Sequence, residues 1–153
     1  FSPGTWRLGR GRGPGLLSGP QDSRLGALIC YEDMVPARAR RMALAGADFL
    51  VNITNDAWFT PAARESHFLF SRLRAVETGL PSVRAANGGV TAVVDAAGRV
   101  RTRLPTRVAG ALAASVPLGR SPAPGLALGD ALFRLAGLVL LGCAFSGLRR
   151  RRP

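Results

Sequence analysis

Leu25-Gly26-Ala27-Leu28-Ile29-Cys30-Tyr31-Glu32 and, fifteen residues further along, Asp48-Phe49-Leu50-Val51-Asn52-Ile53-Thr54 decide the fold class. Leu25–Cys30 and Phe49–Thr54 are apolar runs of strand length, too short for helices, and the second is rich in branched residues. Between them Val35–Ala45 reads as a helix, with Pro36 suited to its first turn and Gly46 to its stop. Thr60-Pro61 reads as an N-cap followed by a first-turn proline, opening a helix from about Ala62 to Thr78 that Gly79 and Pro81 end. On it, Leu69, Leu73 and Val76 share one face, read as the apolar one, while Arg72 and Arg74 point elsewhere. Ser82–Ala86 follows as a third strand. Thr91–Val94 and Arg99–Leu104 form a hairpin around Asp95-Ala96-Ala97-Gly98, and Ala111–Val116 reads as one more strand. Phe1–Gln21, rich in Gly, Pro and Arg, reads as loop. Strands alternating with helices and then a hairpin argue for an α/β layered domain rather than a bundle.

Composition narrows the class further. The 153 residues, 47% of them apolar, suffice for one modest core. The net charge of +12 suggests an anionic partner, yet every basic residue is Arg, and the only solid block is Arg149–Arg152. That block ends an apolar run, so it reads as a membrane flank, and no aromatic-interleaved basic motif suggests nucleic acid. Two cysteines make no disulfide framework, and one His with two separated Cys gives no metal-ligand spacing. Phe1 carries neither a starting Met nor a signal-peptide pattern, so the chain reads as beginning in mid-protein. Residues 1–117 are taken as the α/β domain, 118–125 as a Pro- and Gly-rich linker, 126–148 as a transmembrane helix and 149–153 as a basic cytoplasmic tail. At 1.5 Å per residue the helix would be about 33 Å long, close to the bilayer core of about 30 Å. Basic residues stay on the cytoplasmic side, which puts the domain on the extracytoplasmic one. Within the span, Cys143 reads as an inert membrane-helix residue.

Cys30 closes a buried strand just ahead of a helix, where α/β folds place reactive groups and where a helix dipole favours a thiolate. The Tyr31 N–H could stabilise an oxyanion, and Glu32 could orient a neighbour. By position alone, a small buried hydrophobe is the more frequent role of such a Cys. Asp56 reads as a turn or capping carboxylate ahead of a catalytic one, Trp58 equally as a packing anchor or a lipid contact, and His67 as a hydrogen-bonding residue on a helix face ahead of a catalytic base. Glu77, Arg84 and Asn87 read as structural, making buried polar contacts.

The surrounding motifs change the reading of Cys30. Leu28-Ile29-Cys30-Tyr31-Glu32, Gly46-Ala47-Asp48-Phe49-Leu50-Val51-Asn52 and Asn55-Asp56-Ala57-Trp58-Phe59 together resemble the nitrilase superfamily, and within it the apolipoprotein N-acyltransferases. The likeness continues through His67, Arg72–Glu77, Pro81–Arg84 and Asn87–Val93, and covers nearly the whole chain. It implies part of a nitrilase-like layered α/β sandwich followed by one C-terminal transmembrane helix. It further implies a Cys, Glu and Lys triad that moves a fatty acyl group from a phospholipid donor, through a thioester, to the amino group of a diacylglyceryl lipoprotein in the bacterial inner membrane. No cofactor or metal is implied. Cys30 matches the nucleophile, Tyr31 and Glu32 the supporting residues after it, and Asn55, Asp56 and Trp58 a loop near the site. Two departures stand out. The family's base Glu and oxyanion Lys lie before the Cys, whereas this chain has no Lys and its Glu residues, Glu32, Glu65 and Glu77, all come after it. The chain alone is therefore expected to be inactive, as a fragment or a remnant. A membrane-tethered amidase using water as acceptor is the rival reading.

Overall fold

The computed structural model describes residues 13–106, 108–121, 123 and 135–141. Six strands form one sheet in sequence order: β1 (Leu16–Ser18), β2 (Arg24–Ile29), β3 (Phe49–Asn55), β4 (Ser82–Asn87), β5 (Ala92–Val94) and β6 (Val100–Arg103). β2, β3 and β4 run parallel, while β1 pairs antiparallel with β2 and β4, β5 and β6 pair antiparallel in turn. The two parallel crossovers are made by α1 (Pro36–Leu44) and α2 (Pro61–Thr78). Because the strand order advances in one direction and crossovers are right-handed, both helices lie on the same face of the sheet.

Strand alternation then assigns each side chain a face. Leu28, Leu50, Asn52, Thr54, Ser82 and Arg84 are buried against the helices, while Ile29 and Ile53 on the other face are 57% and 55% exposed. The core has two apolar parts. Leu28, Leu50 and Leu80 pack with Ala39, Ala43 and Ala47, the small side chains letting α1 sit close to the sheet. Phe68 and Ala75 of α2 pack with Val90, Ala92 and Val94. Each large apolar side chain so buried contributes about 1.5–3 kcal/mol. The caps follow their sequence signals. Thr60 Oγ1 accepts from the Ala63 N–H at 3.3 Å, and Gly79 takes the left-handed conformation (φ 66°) that ends α2 without a Cβ clash.

Several expectations need correction. Leu16–Ser18 is a strand, not loop, paired on the outer edge of β2. Residues 111–116 form no strand; the small side chains of this Ala-rich segment offer little to a ladder, and Gly110, Ala111 and Leu112 instead line a cavity of about 470 Å³ with Ile53, Val83 and Ala85. The face of α2 that carries Leu69, Leu73 and Val76 is the outward one, and the buried residues are His67, Phe68, Ser71, Arg74, Ala75 and Thr78. The transmembrane expectation for 126–148 lies largely outside the described residues. Residues 135–141 are helical, and no helix among the described residues is long and apolar enough to cross a membrane. The segment before it is tied down: Ser121 N–H donates to the Gly79 carbonyl at 3.0 Å and Arg120 Nη2 to the Ala47 carbonyl at 3.1 Å.

Candidate active site

β2 ends at Ile29, and Cys30 is the first residue of a 3-10 turn, Cys30–Met34, that leads to α1. The 3-10 turn and Val35 stand between the thiol and the first turn of α1, so the helix begins further from Cys30 than the sequence suggests. What marks the position is its backbone. Cys30 has φ 52°, a left-handed conformation that costs an L-residue roughly 1–2 kcal/mol. Such a sharp turn after a parallel strand lifts a side chain out of the sheet's end. Cys30 is half-buried and not disulfide-bonded.

Two side chains hold this turn. Glu32 Oε2 accepts from the Ile29 N–H at 2.9 Å, and its Oε1 lies 3.8 Å from Arg38. Its carboxylate thus braces the backbone on one side of Cys30. On the other side, Asn52 of β3 donates from Nδ2 to the Cys30 carbonyl at 2.8 Å. Tyr31 is 64% exposed.

Beneath the turn lies a wholly buried polar cluster drawn from the 3-10 turn, β3, the loop after it, α2 and β4. Arg84 of β4 donates from Nη1 to Asp33 Oδ2 at 2.6 Å, to Asn52 Oδ1 at 3.0 Å and to Ser71 Oγ at 2.9 Å. Its Nη2 reaches Asp56 Oδ2 at 2.9 Å. His67 bridges the two carboxylates, with Nε2 3.0 Å from Asp33 Oδ1 and Nδ1 3.0 Å from Asp56 Oδ1. Ser71 donates to Asp33 Oδ2 at 2.6 Å and Thr54 to Asp56 Oδ1 at 2.8 Å. His67 Nδ1 also lies 2.9 Å from Arg84 Nη2, so ring, guanidinium and both carboxylates are knit into one hydrogen-bonded group, the condition under which buried ions are tolerated. Burial on its own would raise the pKa of Asp56. The Thr54 hydroxyl and the Arg84 guanidinium, with His67, outweigh it and hold the carboxyl below its ordinary 3.8.

The residues expected from sequence divide between these two layers. Cys30, Tyr31 and Glu32 lie on the turn. Asp56 is buried in the cluster, so it holds the loop from below and presents no carboxylate to a ligand. Asn55 accepts from the Ala57 N–H at 3.2 Å and from Asn87 Nδ2 at 3.1 Å, joining the ends of β3 and β4. Trp58 is 71% exposed and meets Phe59 edge-on at 6.3 Å, and Phe59 in turn meets the His67 ring at 5.7 Å. Of the three residues read as buried and structural, only Arg84 is buried; Asn87 is exposed, and Glu77 is partly so while pairing with Arg74 at 2.8 Å. Asp33, Asn52, Thr54 and Ser71 were not anticipated. Their signal was present in the spacing: Asn52 and Thr54 share the face of Leu50, and His67 and Ser71 are four apart on α2. A cavity of about 430 Å³ opens by Asn87, Gly88, Gly89, Thr91 and Leu104, and Cys30 is not among its lining residues.

Residues 7–122 match the carbon-nitrogen hydrolase family. The chain belongs to that family. It is 43% identical over 122 residues to the apolipoprotein N-acyltransferase of Allorhizobium ampelinum, covering 78% of this chain and 22% of that protein. It is also 41% identical over 133 residues to the apolipoprotein N-acyltransferase of Ralstonia nicotianae, covering 84% of this chain and 25% of that one. The chain thus spans about a quarter or less of the length of these relatives. Among solved structures, an amidase from Nesterenkonia sp. superposes with a TM-score of 0.54 at 24% identity, over 65% of this chain and 40% of the amidase. That likeness shows the α/β fold shared across the carbon-nitrogen hydrolase family.

Proposed function

We propose that this chain is the nucleophile-bearing, C-terminal part of an apolipoprotein N-acyltransferase, with Cys30 as the acyl carrier. The observation that supports this most directly is the left-handed Cys30, half-open at the end of a parallel strand and braced on both sides, in a chain 43% identical to a protein of that name. In the first half-reaction the Cys30 thiolate attacks a phospholipid ester carbonyl. The carbon–oxygen bond breaks, the lysophospholipid alkoxide leaves and takes up a proton, and a thioester remains. In the second, the free amine of a diacylglyceryl-cysteine attacks the thioester. The carbon–sulfur bond breaks, the amine nitrogen loses a proton, and the thiolate is restored. Sulfur suits both halves, being a good nucleophile as thiolate and a good leaving group to an amine.

In this reading Glu32 and Asn52 hold the turn, Tyr31 contributes its backbone N–H, and the loop Asn55, Asp56 and Trp58 borders the lipid-binding side. The base and the oxyanion cation come from outside this chain, which contains no Lys and no Glu ahead of Cys30. The apolar run at 126–148, followed by Arg149–Arg152, supports a location in the bacterial inner membrane with the α/β layer on the extracytoplasmic face.

A chimera tests the proposal. The matched C-terminal segment of the Allorhizobium ampelinum relative is replaced by this chain and supplied with phospholipid and a diacylglyceryl lipopeptide. The chimera should yield N-acyl peptide and an acyl-thioester on Cys30 by mass spectrometry, while the chain by itself should give negligible product. Product that survives Cys30→Ala would put the nucleophile elsewhere, and release of fatty acid in place of N-acyl peptide would favour a hydrolase.

A further inference from the structure

Asn52 is the link between the cluster and the nucleophile. It is 1% exposed, its Nδ2 holds the Cys30 carbonyl at 2.8 Å, and its Oδ1 is held at 3.0 Å by Arg84 Nη1. The same Nη1 lies 2.6 Å from Asp33, which belongs to the turn that Cys30 opens. The turn is therefore clamped at two points by one guanidinium, directly through Asp33 and indirectly through Asn52. A buried polar cluster is a costly way to fill a core when leucines would do. Its structural return is concentrated at a backbone conformation that an L-residue disfavours. Strain of that kind persists only where neighbouring contacts over-determine it.

We infer that Asn52 is a positioning residue for Cys30: fixed by Arg84 within the Asp33–His67–Asp56–Ser71 cluster, it pins the Cys30 carbonyl and so keeps the residue left-handed with its sulfur raised from the sheet. The inference rests on the reading of Cys30 as nucleophile, but its geometry is local and can be measured without turnover. Without the amide donor, the Cys30 peptide is free to rotate toward ordinary φ values, and the thiol drops toward the strand end. A net hydrogen bond of ordinary strength corresponds to about a three- to tenfold change in the population of the raised conformer.

The test uses the whole 153-residue chain in detergent, with two substitutions. Asn52→Ser is too short to reach the Cys30 carbonyl. Asn52→Asp has nearly the same shape and still accepts from Arg84, but sets an acceptor against that carbonyl. The first readout is the rate of iodoacetamide alkylation of Cys30 across a pH series, resolved by peptide mass spectrometry. The second is the amide cross-peak from carbonyl-labelled cysteine and nitrogen-labelled tyrosine, which is unique because Tyr31 is the only tyrosine and follows Cys30 directly. In whichever variant keeps the wild-type far-UV spectrum, alkylation should slow by about three- to tenfold at neutral pH and the carbonyl resonance should move upfield. A merely structural Asn52 would leave a folded variant with the wild-type pH–rate curve and peak position, and that result overturns the inference. The nucleophile reading fails by a different result, an active Cys30→Ala chimera, so the two failures are separable.

Discussion

Replacing Arg84 with Met keeps an unbranched apolar stem while deleting every donor. In the wild-type protein this guanidinium, 1% exposed, stands 2.6 Å from Asp33 and 2.9 Å from Asp56, both fully buried. Without it neither Asp56 Oδ2 nor Asn52 Oδ1 keeps a donor among the described residues, and two buried carboxylates lose their guanidinium. Breaking a buried pair by removing one partner costs about 3–5 kcal/mol, because a charge is left uncompensated in a medium that solvates it badly. Against a whole-domain stability of about 5–15 kcal/mol, that is a large share. The matched control is Arg103→Ala. Arg103 Nη2 also meets a carboxylate oxygen, on Glu65, at 2.9 Å, but its side chain is 40% exposed and that of Glu65 is 51% exposed. Water screens that pair, and its loss should cost about 1 kcal/mol or less. Bond length is thus similar at the two sites, while Arg84 is buried with several partners and Arg103 is exposed with one carboxylate. Urea unfolding at neutral pH, followed by far-UV circular dichroism, gives both differences. An Arg84→Met protein within about 1 kcal/mol of wild type, or an Arg103→Ala protein as damaged as Arg84→Met, would refute the reasoning.

Acid should act on the same cluster. Because Asp56 is held below 3.8 when folded, its contribution is complete above the ordinary carboxylate range and is lost as pH falls through that range toward the depressed value. The urea midpoint should therefore be level above about pH 5 and decline below about pH 4, and Thr54→Val, which removes one of the groups lowering Asp56, should shrink that acid-dependent decline; a midpoint indifferent to acid would contradict this. Gly89→Ala should destabilise by about 1–3 kcal/mol, since the added Cβ would meet Asp56 Oδ2 and come within 2.9 Å of Asp56 Cβ and Cγ, on a side chain that cannot step aside. Gly13→Ala, with nothing within 4 Å of its added Cβ, is the unaffected comparison in the same melts.

How legible was all this in the amino-acid string? The three parallel strands and both helices were, because Leu25–Ile29 and Phe49–Thr54 are largely apolar runs of strand length and Pro36, Pro61 and Gly79 punctuate the helices by backbone chemistry alone. The inner face of α2 was not. Hydrophobic periodicity assigns the stripe Leu69, Leu73 and Val76 to a core, whereas here a polar stripe of His67, Ser71, Arg74 and Thr78 faces inward with Phe68 and Ala75. A buried network inverts the pattern on which that reading depends. Ala111–Val116 misled for the opposite reason: small residues carry an apolar score without the bulk that makes a ladder worth forming. For the site, motif likeness located Cys30, and spacing could not have supplied its positive φ or the grip of Asn52, both of which arise from contacts between β2, β3 and β4.

The ties at Ser121 and Arg120 fix where the remainder of the chain departs. Gly79 and Ala47 precede β4 and β3, so the tail leaves from the pole at which the parallel strands begin, while the thiol crowns the pole at which they finish. Those poles are separated by one strand length, roughly 20 Å. Residue 121 thus sits at the stern of the layer and the Cys30 turn at the bow, so whatever is joined to the one is held a strand length away from the other.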